Sequence, residues 1–363
     1  MTDTLAPLRV AMVGTGNIAR LHAEALQALG EAVDIVAAVD VDAGRLEQFC
    51  GQYGDVDGYT NLTDMLDAAK PDAVHVCTPP GLHREQVHAC LGAGVSALVE
   101  KPPTLSLRDM DALIAAEGDH GPWVATVFQH RFGSGARRLR AMMSSGVLGR
   151  PLLAVCHTTW FRDQAYFELP WRGAWATEGG GPTMGHGIHQ MDLLASLLGD
   201  WTEVSALARQ QARSMETEDL SLAHVTFASG AVATVVNSVL SPREETYLRF
   251  DFEHATVELT HLYGYGDANW RITPAPGFEE SVMRAWNAGE WGTSSGHLAQ
   301  LAAVTGNLRA GLRPDVTSAE ARRTLQLVAA TYASAFRGHP VGPGDVATDS
   351  PFYERMEGDG PTW

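Results

Sequence analysis

The chain has 363 residues, of which 45% are hydrophobic and 19% charged, and its net charge is −17. These values exclude a disordered chain and argue against nucleic acid or an anionic membrane as the main partner, while leaving room for a locally basic site. The length predicts two domains.

Taken in chain order, Val10 to Val13 reads as an apolar strand that ends in Gly14-Thr15-Gly16-Asn17-Ile18-Ala19. A helical pattern from Ile18 to Leu29 follows and stops at Gly30. Strand, tight glycine turn and helix is the setting in which G-x-G-x-x-G/A holds a dinucleotide. Gly14 turns the chain off the strand, Gly16 lets a pyrophosphate approach the backbone, and Ala19 lets the helix pack closely. The unpaired N–H groups of the helix N-terminus attract the phosphates. Val33 to Val39 is the next strand candidate, and Asp40 at its end stands where a carboxylate meets the adenosine ribose. No arginine directly follows Asp40, which favours NAD; Arg45 nearby keeps NADP open.

Helices are predicted over 43–53, 62–69, 83–92 and 106–117, and strands near Tyr59 and over 71–78, 96–100 and 124–128. This alternation predicts a doubly wound parallel sheet over 1–128, the dinucleotide-binding domain. The rhythm then changes. A helix over 136–145 and a strand over 152–160 lead into a loop with Trp160, Phe161, Tyr166, Phe167, Trp171 and Trp175. Gly179-Gly180-Gly181 precedes an apolar helix from Ile188 to Leu198. Strands over 202–208, 220–227, 231–238, 247–253 and 255–260, joined by short turns, predict a large, mostly antiparallel sheet. Helices over 297–310 and 318–336 close this second, α+β domain, 129–338. The segment 339–363, rich in Gly, Pro and Asp, reads as an extended tail.

Lys101 follows a buried strand, at the edge where ligands of open α/β sheets bind. A lysine desolvated there exchanges a proton near neutrality; the alternative is a surface lysine paired with Glu100. The bond to Pro102 is open to the cis form. His189 opens a helix after a glycine-rich loop, with Asp192 one turn on to orient it; a buried structural histidine would read the same way. His186, His189 and Asp192 diverge too far around one helix to share a metal, so no metal is expected. The four cysteines, Cys50, Cys77, Cys90 and Cys156, form no C-x-x-C pair and read as free thiols in a reducing compartment. Residues 1–7 lack the basic and apolar regions of a signal peptide, and no apolar run is long enough to span a bilayer, so a cytoplasmic protein is expected.

The glycine turn, Cys77-Thr78-Pro79-Pro80-Gly81-Leu82-His83, Glu100-Lys101-Pro102-Pro103, Gly179-Gly180-Gly181 with Gly187-Ile188-His189-Gln190-Met191-Asp192, and the closing Tyr332 to Gly338 together resemble the glucose–fructose oxidoreductase / inositol dehydrogenase / MocA (Gfo/Idh/MocA) family. The resemblance implies a nicotinamide-dependent oxidoreductase acting on a sugar, inositol or related polyol. It implies a lysine, here Lys101, that hydrogen-bonds the reacting hydroxyl or carbonyl, and a histidine, here His189, that serves as acid/base or substrate ligand. The expected cofactor contacts are Gly14, Thr15, Gly16, Asn17, Ile18 and Asp40 from the turn and its partner strand, with Thr78, Pro79, His83, Glu100 and Lys101 from the other motifs. Expected substrate contacts are Lys101, Arg131, Trp160, Trp171, Arg172, His189 and Asp192; Arg131 reads equally as part of an internal ion pair. The outer face of the second sheet is implied as the interface of a homodimer or homotetramer.

The departure is Gly185. Many family members carry an aspartate there, which joins the lysine and histidine. Here Gly185-His186 leaves three options: His186 takes over, Lys101 and His189 suffice, or the redox activity is altered. Besides a dehydrogenase, two readings stay open: an enzyme that retains NAD and oxidises a glycoside transiently to hydrolyse or eliminate it, and a non-catalytic dinucleotide-binding protein.

Overall fold

The computed structural model describes residues 6–361 and 363. Most of the segment read for a signal peptide, residues 1–5, lies outside the described residues. The chain divides into two units: one runs to Thr104 and adds Asp109–Val127 and His297–Arg322, and the other holds Leu105–Arg108, Phe128–Gly296 and Arg323–Trp363.

In the first unit the strands are β1 (Leu8–Val13), β2 (Val33–Val39), β3 (Asp57–Tyr59), β4 (Ala73–Val76), β5 (Ser96–Val99) and β6 (Val124–Thr126). The helices between them are α1 (Asn17–Gln27), α2 (Ala43–Tyr53), α3 (Leu62–Ala69), α4 (His83–Gly92) and α5 (Leu107–Ala116). All strands are parallel, in the order β3-β2-β1-β4-β5-β6. Every residue of β4 and β5 is buried, as expected where helices cover both faces of a parallel sheet. The order reverses between β1 and β4, so their C-terminal ends, Gly14 and Cys77, border the switch point where such sheets take ligands.

In the second unit, α6 (Ser134–Ser144) precedes β7 (Pro151–Phe161), and the short α7 (Trp175–Glu178) leads through a π-turn, Thr183–Gly187, into α8 (Ile188–Leu198). The sheet continues with β8 (Trp201–Arg209), β9 (Leu220–Phe227), β10 (Val232–Ser238), β11 (Leu240–Phe252), β12 (Ala255–His261) and β13 (Trp270–Pro274), followed by α9 (Glu279–Ala288). Its seven strands run in the order β13-β12-β11-β7-β10-β9-β8. Neighbours are antiparallel except β7 and β10, which are parallel. Alternation is plain in β7: Ala154, Cys156, Thr158 and Trp160 are buried, while Leu153 and Phe161 on the other face are exposed.

Three expectations change. α10 (His297–Arg309), assigned above to the second domain, belongs to the first unit, where Leu301 and Val304 join Ala19, Ala23 and Leu26 in the core. A helix's apolar pattern shows that it buries a face, not which core receives it. Between residues 261 and 296, where no element was expected, lie β13 and α9. The tail does not simply run extended. After α11 (Ser318–Arg337), Val341 bridges to Val204, and Val346, Phe352 on α12 (Pro351–Glu354) and Met356 are buried. Their apolar spacing has no period that marks burial in advance.

Gly14 sets the turn off β1. Its φ is +85°, its N–H donates to Val39 O at 2.8 Å, and a Cβ there would stand 3.0 Å from the Cys77 carbonyl. Gly14→Ala is therefore expected to cost about 1–3 kcal/mol through strain and forced separation of β1 from β4. The measurement is the denaturant midpoint at constant m; an unchanged midpoint contradicts the steric argument.

Candidate active site

The dinucleotide turn combines an open backbone with a fixed anion. Gly16 caps α1 without a side-chain hydrogen bond, the first turn holds no acidic residue, and a Cβ at Gly16 would meet nothing within 4 Å. The helix N-terminus thus keeps N–H groups and space for a pyrophosphate, which fits the expected cofactor. Asp40 Oδ2 accepts from Thr15 N at 2.9 Å and Thr15 Oγ1 at 2.8 Å, and Oδ1 accepts from Asp42 N at 2.9 Å and Arg45 Nη2 at 3.1 Å. Burial opposes its charge, but these donors outweigh burial and hold the carboxyl below its usual range. Asp40 therefore fixes the glycine turn as well as offering a carboxylate at the strand end.

Lys101 leaves β5 beside a buried polar cluster. Glu100 Oε2 accepts Lys101 N–H at 3.1 Å, and Oε1 accepts from His22 Nε2 at 3.1 Å and His297 Nε2 at 3.4 Å. Burial pushes Glu100 up, yet the two imidazole donors bring it well below the usual carboxylate range. Its carboxylate is engaged inside the unit by both imidazoles and by the Lys101 backbone N–H. The Lys101–Pro102 peptide is cis. The His83 ring is fully buried, with Nδ1 and Nε2 each 2.8 Å from the carbonyl oxygens of Pro102 and Thr78. It ties the loop after β4 to the exit of β5.

In the second unit the glycine-rich loop exists because backbone and carboxylate meet closely. Glu218 Oε2 accepts from Gly181 N at 3.0 Å, and Oε1 accepts from Thr183 N at 3.0 Å and Tyr332 Oη at 2.9 Å. A Cβ at Gly181 would collide with Glu218 O. The π-turn that follows inserts an extra residue ahead of α8, a feature frequent at functional sites. It presents His186 to Tyr166, whose hydroxyl is 3.3 Å from Nε2, and edge-on to Trp160. His189 instead stacks on His130 with centroids 5.1 Å apart, and Gln190 Nε2 donates to His130 Nδ1 at 3.0 Å.

A carboxylate does stand beside Gly185. A Cβ there would lie 3.4 Å from Glu178 Oε1 and no closer to anything else. Glu178 is buried, its Oε2 accepts Gly173 N–H at 2.7 Å, and Oε1 accepts Arg172 Nη1 at 3.0 Å. Arg172 lies over the rings of Tyr166 and Trp171, 3.9 and 4.1 Å from their centroids. No motif in the sequence marks Glu178 as part of this group. Arg131 and Asp192 form a bidentate pair at 2.7 and 2.6 Å, with Thr324 Oγ1 donating to Asp192 at 2.8 Å. That is the internal ion pair left open above, and it ties Arg131 to α8. Trp160 Nε1 likewise donates to Thr246 Oγ1 at 2.9 Å.

A family model described as the Gfo/Idh/MocA oxidoreductase family, NAD-binding Rossmann fold, matches residues 8–128, and the Gfo/Idh/MocA C-terminal domain matches residues 136–258. Over 200 residues the chain is 30% identical to D-glucoside 3-dehydrogenase of Escherichia coli K12, a match covering 54% of this chain and 55% of that protein, about half its length. It is 26% identical to D-apiose dehydrogenase of Paraburkholderia graminis, over 96% of this chain and 93% of that one. The WlbA dehydrogenase of Bordetella pertussis, solved with NADH and UDP-GlcNAcA, superposes with a TM-score of 0.81 at 25% identity, covering 94% of this chain and 99% of that one.

His261 carries a pH dependence for this unit. Burial first, then the neighbouring His130, push it down to about 3 from 6.5, against the opposing pull of the Gly264 backbone. Its ring abuts His130 at 5.3 Å and Tyr265 at 5.6 Å. The folded state keeps it neutral while the unfolded chain protonates below about 6.5, so this stability is complete above 6.5 and declines toward pH 3, by up to about 1.4 kcal/mol per pH unit. Unfolding free energies at about pH 7 and about pH 5.5 are expected to differ less in His261→Leu than in the wild type. Equal differences would assign the acid sensitivity elsewhere.

Proposed function

Because the chain belongs to the Gfo/Idh/MocA oxidoreductase family, we propose that it moves a hydride between NAD and a secondary alcohol or ketone of an uncharged sugar, inositol or related polyol. NAD, when bound at the turn from Gly14 to Ile18 and at Asp40, supplies the hydride acceptor or donor. Lys101 takes the hydroxyl proton on oxidation and returns it on reduction. His189, held by its stack on His130, orients the hydroxyl. The observation that carries this reading is the position of Lys101, directly after the C-terminal end of β5 on the edge where parallel sheets bind ligands, with its backbone N–H held by Glu100.

The charge pattern supports an uncharged substrate. Arg131, Arg162 and Arg172 are each matched by their own carboxylate, Asp192, Glu244 and Glu178, at 2.6, 2.7 and 3.0 Å. Arginines neutralised in this way offer hydrogen bonds to hydroxyls more readily than a net cation to an acidic sugar. The rings of Trp160, Tyr166 and Trp171 suit the faces of a sugar ring.

Glu178 takes the place of a carboxylate at position 185. This weakens the ground for a reaction without net redox, which rested on that position alone. We assign the protein to the cytoplasm, since its four cysteines are free and no described helix is long and apolar enough to cross a membrane. The face of the second sheet bearing Leu153, Leu222 and Val232, all exposed, is assigned to a second copy of the chain.

Lys101→Ala is expected to lower turnover on the order of 100- to 10,000-fold with NAD affinity retained, measured as NADH formation across a sugar and inositol panel. Unchanged turnover removes Lys101 from the chemistry. Glu178→Gln is expected to lower kcat roughly 10- to 100-fold without weakening NAD, and Gly185→Asp added to it to recover part of the loss. No recovery would mean that Glu178 only holds its loop.

A further inference from the structure

We propose that His22, Glu100 and His297 form a site for one divalent transition cation of the zinc class, inside the first unit. The ligands come from separate places in the fold: α1, the exit of β5 and the first residue of α10. His22 Nε2 is 3.1 Å and His297 Nε2 is 3.4 Å from Glu100 Oε1, and one potential ligand atom from each residue lies within 4.8 Å of the others. Bonds of about 2.0–2.2 Å to a tetrahedral zinc place neighbouring ligand atoms roughly 3.3 Å apart, so the cluster is already near the required spacing. Two imidazoles and one carboxylate are a donor set that zinc takes in open sites, with water as fourth ligand.

The surroundings match what a metal ligand needs. His75 Nδ1 lies 3.0 Å from His22 Nδ1, so it can accept the Nδ1–H of the His22 tautomer whose Nε2 lone pair faces the cation. His22 and Glu100 side chains are 0% and 7% exposed, but His297 is 14% exposed and marks the way in. Glu100 would give Oε1 to the cation while Oε2 keeps its bond from Lys101 N–H. A cation there would bind α10 to α1 and to the exit of β5 independently of the catalytic reading.

The test uses full-length, tag-free protein stripped with a chelator, then equilibrated with Zn²⁺ and analysed for bound metal. One zinc per chain is expected for the wild type and for His88→Gln, an exposed histidine elsewhere, together with a rise of a few degrees in Tm. His297→Gln should lose both, with its fold checked by circular dichroism and NAD binding. No stoichiometric zinc, or zinc retained in His297→Gln, overturns the site and leaves a hydrogen-bonded network only. Should His297→Gln fail to fold, Co²⁺ in the wild type decides: intense visible bands of a four-coordinate ion support the site, and a weak six-coordinate spectrum overturns it.

Discussion

The burial of the Glu100 carboxylate is the constraint around which the first unit is arranged. A carboxylate removed from water without partners costs several kcal/mol, so its donors must be built in. They come from α1 through His22, from α10 through His297 and from the backbone of Lys101. One anion thereby ties the helix that follows the glycine turn, the helix that returns late in the chain and the lysine at the end of β5. Without α10 the cluster would lose a donor and the sheet part of its apolar cover, which is why the chain must come back at 297–322 to complete a unit begun at its start.

The second unit uses the same device. Glu218 collects Gly181 N, Thr183 N and the Tyr332 hydroxyl, and so holds the glycine-rich loop and the π-turn. Asp219 beside it accepts from Gln211, Ala212 and Arg213 N–H groups at 2.7–2.9 Å, shaping the loop before β9. Asp192 holds Arg131 against α8. Loops that carry functional groups have no ladder to satisfy their backbone, and buried carboxylates supply the missing acceptors.

Gly185 and Glu178 are far enough apart in the chain that only the fold brings them together. The space left by a missing side chain at 185 opens toward the Glu178 carboxylate. That carboxylate is held by the Gly173 N–H and by Arg172, itself stacked between Tyr166 and Trp171.

Much was legible in the sequence because its physics is local. The glycine turn, Asp40 at a strand end, Lys101 before paired prolines and the period-two strands from Leu220 to Ser238 depend on neighbours a few residues away. The family resemblance rested on those same short motifs. What only the tertiary structure decided involves partners far apart in the chain. These are the return of α10 to the first core, the packing of Phe352 and Met356, Glu178 against Gly185, and the meeting of His22, His75, Glu100 and His297. A histidine or glutamate shows its type in a sequence but not its partner, because distance along the chain carries no record of which buried charge must be answered by which donor.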